Sequence, residues 1–302
     1  MDDHPTSDDL WEQGADLDLT VVVPYFNPGS RVRDTIDELL ETLSGTGATF
    51  EVIAVSDGST DGSEDSLDGL RPELVRRVRL DQNRGKGEAL RAGFARGRGR
   101  FLGFIDADGD LPPDQIAAMA ALATTSGDPS GPPDVVLGSK RHPRSEVVYP
   151  PMRRLYSWLW QQLVLVLFDL RVKDTQTGLK LARREVIAAA LPRMLEKRFA
   201  FDLELLVVAR RLGYRRFVEM PVRIRQRFGS TVSIRAAAGM LLDLLAIFYR
   251  LRILHYYDQT PAPEPVRGPE HVRAPVEGPA PERGRDPGSR AEPTPLRETE
   301  GA

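Results

Sequence analysis

Along the first half of the chain, short apolar runs rich in β-branched residues alternate with amphipathic stretches, and each run breaks on a polar, turn-forming segment. Leu19 to Pro24 ends at a proline and is followed by Asn27-Pro28-Gly29-Ser30 and an amphipathic stretch to Leu43. Phe50 to Ser56 stops at Asp57-Gly58-Ser59-Thr60-Asp61-Gly62, and Val75 to Leu80 precedes Asn83-Arg84-Gly85-Lys86-Gly87, which opens a helical stretch to Arg96. Phe101 to Ile105 runs into Asp106-Ala107-Asp108, and Asp134 to Gly138 is a further run. Strand-length runs separated by helix-length stretches predict an α/β fold with a mainly parallel sheet covered by helices on both faces. Sheets of that kind take their ligands beyond the carboxyl ends of the strands, so the polar segments predict one common cleft.

With 302 residues, 41% of them hydrophobic, the chain can build a sizeable core, and a formal net charge of -3 gives no sign of a nucleic-acid partner. The absence of cysteine excludes disulfides, thiolate catalysis and cysteine-held metals, and fits an intracellular location. Residues 1–18 are acidic and polar and are expected to form a flexible N-terminus, neither signal peptide nor anchor. Residues 259–302 hold ten of the 24 prolines and almost no large apolar groups, so they predict a disordered tail. Between them lies one expected domain, 19–258. No stretch has the roughly 20 consecutive apolar residues of a membrane span. Two shorter ones, Ser157 to Phe168 and Ala236 to Tyr249, are flanked by arginines. They predict interfacial helices, peripheral on the cytoplasmic, inner face of a membrane, with a buried helix pair or homo-oligomer interface as the alternative.

Carboxylates delivered by a strand end suit a hard cation. Asp106 and Asp108, with Asp110 close behind, are candidate ligands of Mg²⁺ or Mn²⁺, which would neutralise a diphosphate leaving group; a solvated acidic turn is the alternative. Asp57 can accept hydrogen bonds from a pyrimidine imide or a ribose hydroxyl, whereas Asp61 can equally cap the helix that follows. Gly85-Lys86-Gly87 offers backbone amides and a cation at a helix start, a sensible diphosphate contact. Neither the phosphate-cradling loop pattern nor Gly-x-Gly-x-x-Gly after the first strand is present, which disfavours nicotinamide-dinucleotide and P-loop chemistry. Asp202 and Glu204 open a helix to Leu212, beside a substrate or simply as acids complementing the helix dipole. His142 is assigned no role.

Val23-Pro24-Tyr25-Phe26-Asn27, Ser56-Asp57-Gly58-Ser59-Thr60-Asp61, Asn83-Arg84-Gly85-Lys86-Gly87 and Asp106-Ala107-Asp108, in that order, resemble the family 2 glycosyltransferases over residues 19–140. The resemblance implies a GT-A fold, with Pro24, Tyr25, Asn27, Asp57, Gly85, Lys86 and Asp106 around the nucleotide and Asp108 on the metal. Many members have two successive acids where this chain has Ser56 and Asp57, so only Asp57 inherits that role. Gly138-Ser139-Lys140-Arg141, Arg153 with Ser157, Asp174-Thr175-Gln176-Thr177-Gly178-Leu179-Lys180 and Phe201-Asp202-Leu203-Glu204 narrow the resemblance to the polyprenyl-phosphate sugar synthases, dolichyl-phosphate β-glucosyltransferases in particular. That implies an acceptor phosphate on Arg141, Arg153 and Ser157, a sugar pocket shaped by Gln176 and Gly178, and chemistry at Asp106, Asp108 and Asp202. The expected reaction is an inverting transfer of glucose from a UDP-sugar donor to a polyprenyl-phosphate acceptor. The alternatives are a soluble family 2 enzyme with a non-lipid acceptor and a catalytically silent nucleotide-sugar-binding scaffold.

Overall fold

β1 (Leu17–Tyr25) is the axis on which the domain is assembled: from Leu19 onward every residue is buried, because strands pair with it on both sides and helices cover both faces. The computed structural model describes residues 15–125, 131–147, 151–198, 200–225 and 234–259, apart from the side chains of residues 125, 151–155 and 234–237. β2 (Phe50–Ser56) and β4 (Gly99–Ile105) flank β1 in parallel, and β3 (Val75–Arg79) extends the sheet beyond β2. On the other side β6 (Leu179–Arg183) runs antiparallel between β4 and β5 (Val135–Ser139), and β7 (Phe217–Pro221) closes the edge parallel to β5. The seven-stranded order is β3-β2-β1-β4-β6-β5-β7.

Side chains alternate across each strand, and the two faces feed two cores. Val22, Ile53, Val55 and Phe104 enter one; Val21, Val23, Val52, Ala54 and Ile105 enter the other. Against the second lie α1 (Arg31–Ser44) and α3 (Asp114–Thr125). α1 buries Val32, Ile36, Leu39, Leu40 and Leu43, one apolar stripe at helical spacing, each side chain contributing about 1.5–3 kcal/mol. The first core is covered by α2 (Lys86–Phe94), α5 (Arg184–Ala190) and α6 (Phe201–Arg211).

The two apolar stretches form parts of α4 (Pro151–Phe168) and α7 (Ile234–Arg252). Their inner faces join the first core through Val164, Phe168, Leu244, Ile247 and Leu251, and Phe168 meets Phe248 edge to face with ring centroids 6.4 Å apart. Their outer faces leave Trp158, Leu159, Val166, Leu241, Leu242, Leu245 and Tyr249 exposed. Among the described residues no helix is long and apolar enough to cross a membrane. The mainly parallel reading of the sheet holds, with one refinement: the second half supplies β6 and β7 as well as helices. The Gln176 segment leads straight into β6, whose alternation is masked by the lysine in Leu179-Lys180-Leu181. The first strand starts at Leu17, earlier than expected, because Asp18 is fastened to Thr49 by side-chain and backbone hydrogen bonds. Apart from residues 15–18 and 259, the expected N-terminus and tail lie outside the described residues.

Candidate active site

Because β1, β2 and β4 are parallel, their carboxyl ends open on one edge. Pro24 and Tyr25 end β1 as buried residues, and Tyr25 pairs in register with Ser56. Burial, with the Glu64 carboxylate nearby, keeps the Tyr25 hydroxyl protonated well above its ordinary range. Asn27 adopts a left-handed backbone, its side-chain oxygen accepts the Thr60 amide at 2.8 Å, and its own amide donates to Ser59 Oγ at 3.1 Å. The loops after β1 and β2 are thereby stapled together. Asp61 accepts the Gly29 amide at 2.7 Å and the Ser63 amide at 3.0 Å, so it closes its own turn and does not cap the helical turn that follows, whose N-cap is Glu64.

Asp57 is almost wholly buried and spends one oxygen on the Arg84 amide at 2.7 Å and the other on the Gly85 amide at 2.9 Å. Burial outweighs those two amides and raises its carboxyl above the ordinary value. The carboxylate therefore shapes the loop that carries Lys86, and its remaining lone pairs are left for a ligand. Gly85 sits at φ +99°, and a Cβ there would lie 2.4 Å from the Lys197 carbonyl. Both facts require glycine at the start of α2.

Lys86 Nζ lies 2.5 Å from Asp106 Oδ1 and 3.7 Å from Asp202 Oδ2, above the Phe104 ring. Burial works against its charge, but Asp106 and Asp202, with Asp108 behind them, outweigh burial and hold the ammonium above its ordinary value. Asp106 itself donates its amide to the Gly178 carbonyl at 3.1 Å. Asp108 is exposed and accepts the Asp110 amide on one oxygen at 3.0 Å. Among the described residues no three His, Cys, Asp or Glu side chains converge as a metal site. A Mg²⁺-type ion needs only one or two carboxylates when phosphate oxygens complete its shell, and Asp108 and Asp110 are the candidates for that role. Asp106, committed to Lys86, is placed less favourably as a ligand than the strand-end spacing implies.

On the far side of β4, Arg141 donates to the Ser157 carbonyl at 2.8 Å, which joins the loop after β5 to α4. Arg153 lies in the first turn of α4, and its side chain falls outside the described part. Asp174 ties the Gln176 loop down by accepting the amides of Lys140, Gln176 and Thr177. Gln176 lines a small hollow with Trp160, Ala200, Leu203 and Met240.

The two acids at the start of α6 separate in role. Asp202 faces the lysine cluster, whereas Glu204 faces the opposite way and accepts the amides of Leu195 and Glu196, the Arg250 guanidinium and the Tyr257 hydroxyl. Glu204 is thus a strut between α6, α7 and the 195–197 segment. Arg250, which flanks an apolar stretch in the sequence, turns inward to Glu204 and Glu196. Lys180 carries no assigned role in the sequence reading; a lysine inside the apolar β6 run is the signal that it is buried and paired.

Residues 20–190 match the model of the family described as Glycosyl transferase family 2. A dolichyl-phosphate β-glucosyltransferase of Drosophila melanogaster is 34% identical over 67% of this chain and 65% of its own length. One from Trichomonas vaginalis is 30% identical over 78% of this chain and 75% of its own length. Among solved structures, glucosyl-3-phosphoglycerate synthase of Mycobacterium tuberculosis, crystallised with Mn²⁺, UDP and its product, superposes with a TM-score of 0.56 at 21% identity, covering 82% of this chain and 85% of that one. The fold is therefore GT-A-like.

Proposed function

The chain belongs to glycosyl transferase family 2, and from that premise we propose that it transfers glucose from UDP-glucose to a polyprenyl phosphate with inversion at the anomeric carbon. One observation carries the reading: Asp57 holds the amides of Arg84 and Gly85, and the next residue, Lys86, meets the Asp106 carboxylate at the end of β4. The residues proposed for the nucleoside and for the diphosphate thus adjoin on one sheet edge. In this reading Asp57 and Asn27 orient the nucleoside, and Lys86 turns from Asp106 to the diphosphate. A divalent cation held by Asp108 and Asp110 supplies charge neutralisation at the leaving group.

A phosphate acceptor is ionised at neutral pH and needs no general base, so positioning and charge compensation supply most of the rate. Arg141 next to Ser157, with Arg153 on the same helix, is the arginine grouping that suits such a phosphate, since a guanidinium fork matches phosphate oxygens. The relatives named as dolichyl-phosphate β-glucosyltransferases support a lipid-phosphate acceptor. The exposed apolar faces of α4 and α7 support peripheral contact with a membrane.

The test incubates the protein and Mn²⁺ or Mg²⁺ with labelled UDP- and GDP-sugars and either a short polyprenyl phosphate or a water-soluble phosphate acceptor. Label moving from UDP-glucose to the polyprenyl phosphate is expected. Transfer only to the soluble acceptor, or UDP binding without turnover, would overturn the reading.

A further inference from the structure

Lys180 is 3% exposed and lies on β6, an inner strand and, among the described residues, the only antiparallel one. An ammonium is rarely taken out of water without full compensation. Here Nζ donates to Asp202 Oδ1 at 2.9 Å and to the Thr177 carbonyl at 2.7 Å, and it lies 5.4 Å from the centroid of the Phe104 ring. The other oxygen of Asp202 faces Lys86 at 3.7 Å, and Lys86 lies 4.9 Å from that same ring centroid. Asp202 therefore stands between two ammonium groups, held closely by one and loosely by the other. Too enclosed to touch a substrate, Lys180 can act only through its neighbours.

We propose that Lys180 is a positioning residue of the donor site: by engaging Asp202 it restrains that carboxylate's pull on Lys86 and so leaves the Lys86 ammonium free to turn to a nucleoside diphosphate. The proposal rests on the reading above in which Lys86 meets the donor diphosphate. The balance of charge supports it. Lys86 and Lys180 together match the two carboxylates they touch, half-buried Asp106 and buried Asp202. Without Lys180, one ammonium would face two carboxylates in a poorly solvated place, and the phosphates would have to compete with both for Lys86. Through Thr177 the same lysine also fastens the Gln176 loop, so the sugar pocket and the diphosphate contact share one anchor.

The experiment titrates UDP with Mg²⁺ into wild-type protein, Lys180→Met, Asp202→Asn and the double variant by calorimetry, with melting curves alongside. Lys180→Met is expected to weaken UDP binding about tenfold, and adding Asp202→Asn to restore it to within about threefold of wild type, because the unbalanced carboxylate is then gone. Asp202→Asn alone is expected to bind UDP at least as tightly as wild type. Unchanged binding in Lys180→Met, or a double variant no better than Lys180→Met, overturns the proposal, since lost packing is not repaired by Asp202→Asn. If Lys180→Met does not fold, a folded double variant that binds UDP supports charge balance, and an unfolded double variant overturns it. Wild-type protein that binds no UDP strikes at the donor-site reading itself and takes this inference with it.

Discussion

Asp106 occupies the space in which any side chain on Gly178 would have to sit: a Cβ built there falls 1.7 Å from Asp106 Oδ2 and 2.3 Å from its Cγ. The glycine is thus a condition for the carboxylate that holds Lys86, and it joins the start of β6 to the end of β4, where the loop proposed to shape the sugar pocket meets the lysine proposed to contact the diphosphate. Gly178→Ala should displace Asp106 and cost about 1–3 kcal/mol of stability through overpacking. Turnover should fall at least about tenfold, since a small misplacement of positioning groups lowers rate disproportionately. Steady-state kinetics beside a melting curve check it; wild-type values in both would mean that Asp106 is not held there.

Asp108 is exposed and among the described residues accepts only the Asp110 amide within its own turn, so Asp108→Ala should change stability by no more than about 0.5 kcal/mol. If it and Asp110 hold the divalent cation, the substitution should abolish metal-dependent transfer and the heat of Mn²⁺ binding in the presence of UDP. Asp110→Ala should weaken the same heat without abolishing it. Metal-dependent turnover retained by Asp108→Ala would remove the assignment.

The parallel half of the sheet was legible because β1, β2 and β4 are apolar on both faces and end on turns, so pattern and position agree. β6 and β7 were not. β6 carries a lysine whose partner lies 22 residues further on in sequence, and β7 is an edge strand of half-buried residues with a glutamate in the middle. For the same reason Asp57 and Asp108 could be picked from strand ends, whereas Lys180 required knowledge of what it faces. Asp202 and Glu204 looked equivalent two residues apart on one helix. A helix turns by 100° per residue, and that rotation sends one to the lysines and the other to Arg250.

Burial holds the Asp57 carboxyl above its ordinary 3.8. An acid whose folded-state value is raised contributes stability that is fully present below 3.8 and is lost as pH rises through the raised folded value. UDP binding should move the other way over that window, because the ionised oxygen is the better acceptor for an imide N–H. Asp57→Asn should flatten both slopes. It should also destabilise by about 1–3 kcal/mol, since the amide NH₂ sets a donor against one of the two backbone N–H groups that the carboxylate accepts. Melting temperature and UDP affinity measured on both proteins across mildly acidic pH decide the matter; parallel slopes would mean that Asp57 does not titrate there.

Val166 on α4 and Leu242 on α7 are 77% and 66% exposed, so neither contributes much to folding. An apolar face turned to solvent on two packed helices carries a cost unless something covers it, and a membrane is the surface the proposed acceptor brings with it. Arg250 is committed inward, so exposed Arg252 and Arg171, the latter 3.8 Å from Asp169, are the proposed partners of anionic headgroups. The double substitution Val166→Asp and Leu242→Asp should leave the melting temperature near wild type, because outward side chains shift stability by about 0.5 kcal/mol or less. At about 0.8 kcal/mol for each CH₂ withdrawn from the bilayer boundary, the loss in vesicle binding should exceed tenfold. Co-sedimentation with vesicles containing anionic lipid reads it directly. Transfer to a long-chain polyprenyl phosphate in those vesicles should fall in step, while transfer to a short, micelle-free analogue should not, because the donor site is untouched. If the variant sediments with vesicles as wild type does, the apolar face has another occupant and the acceptor reaches Arg141 without it.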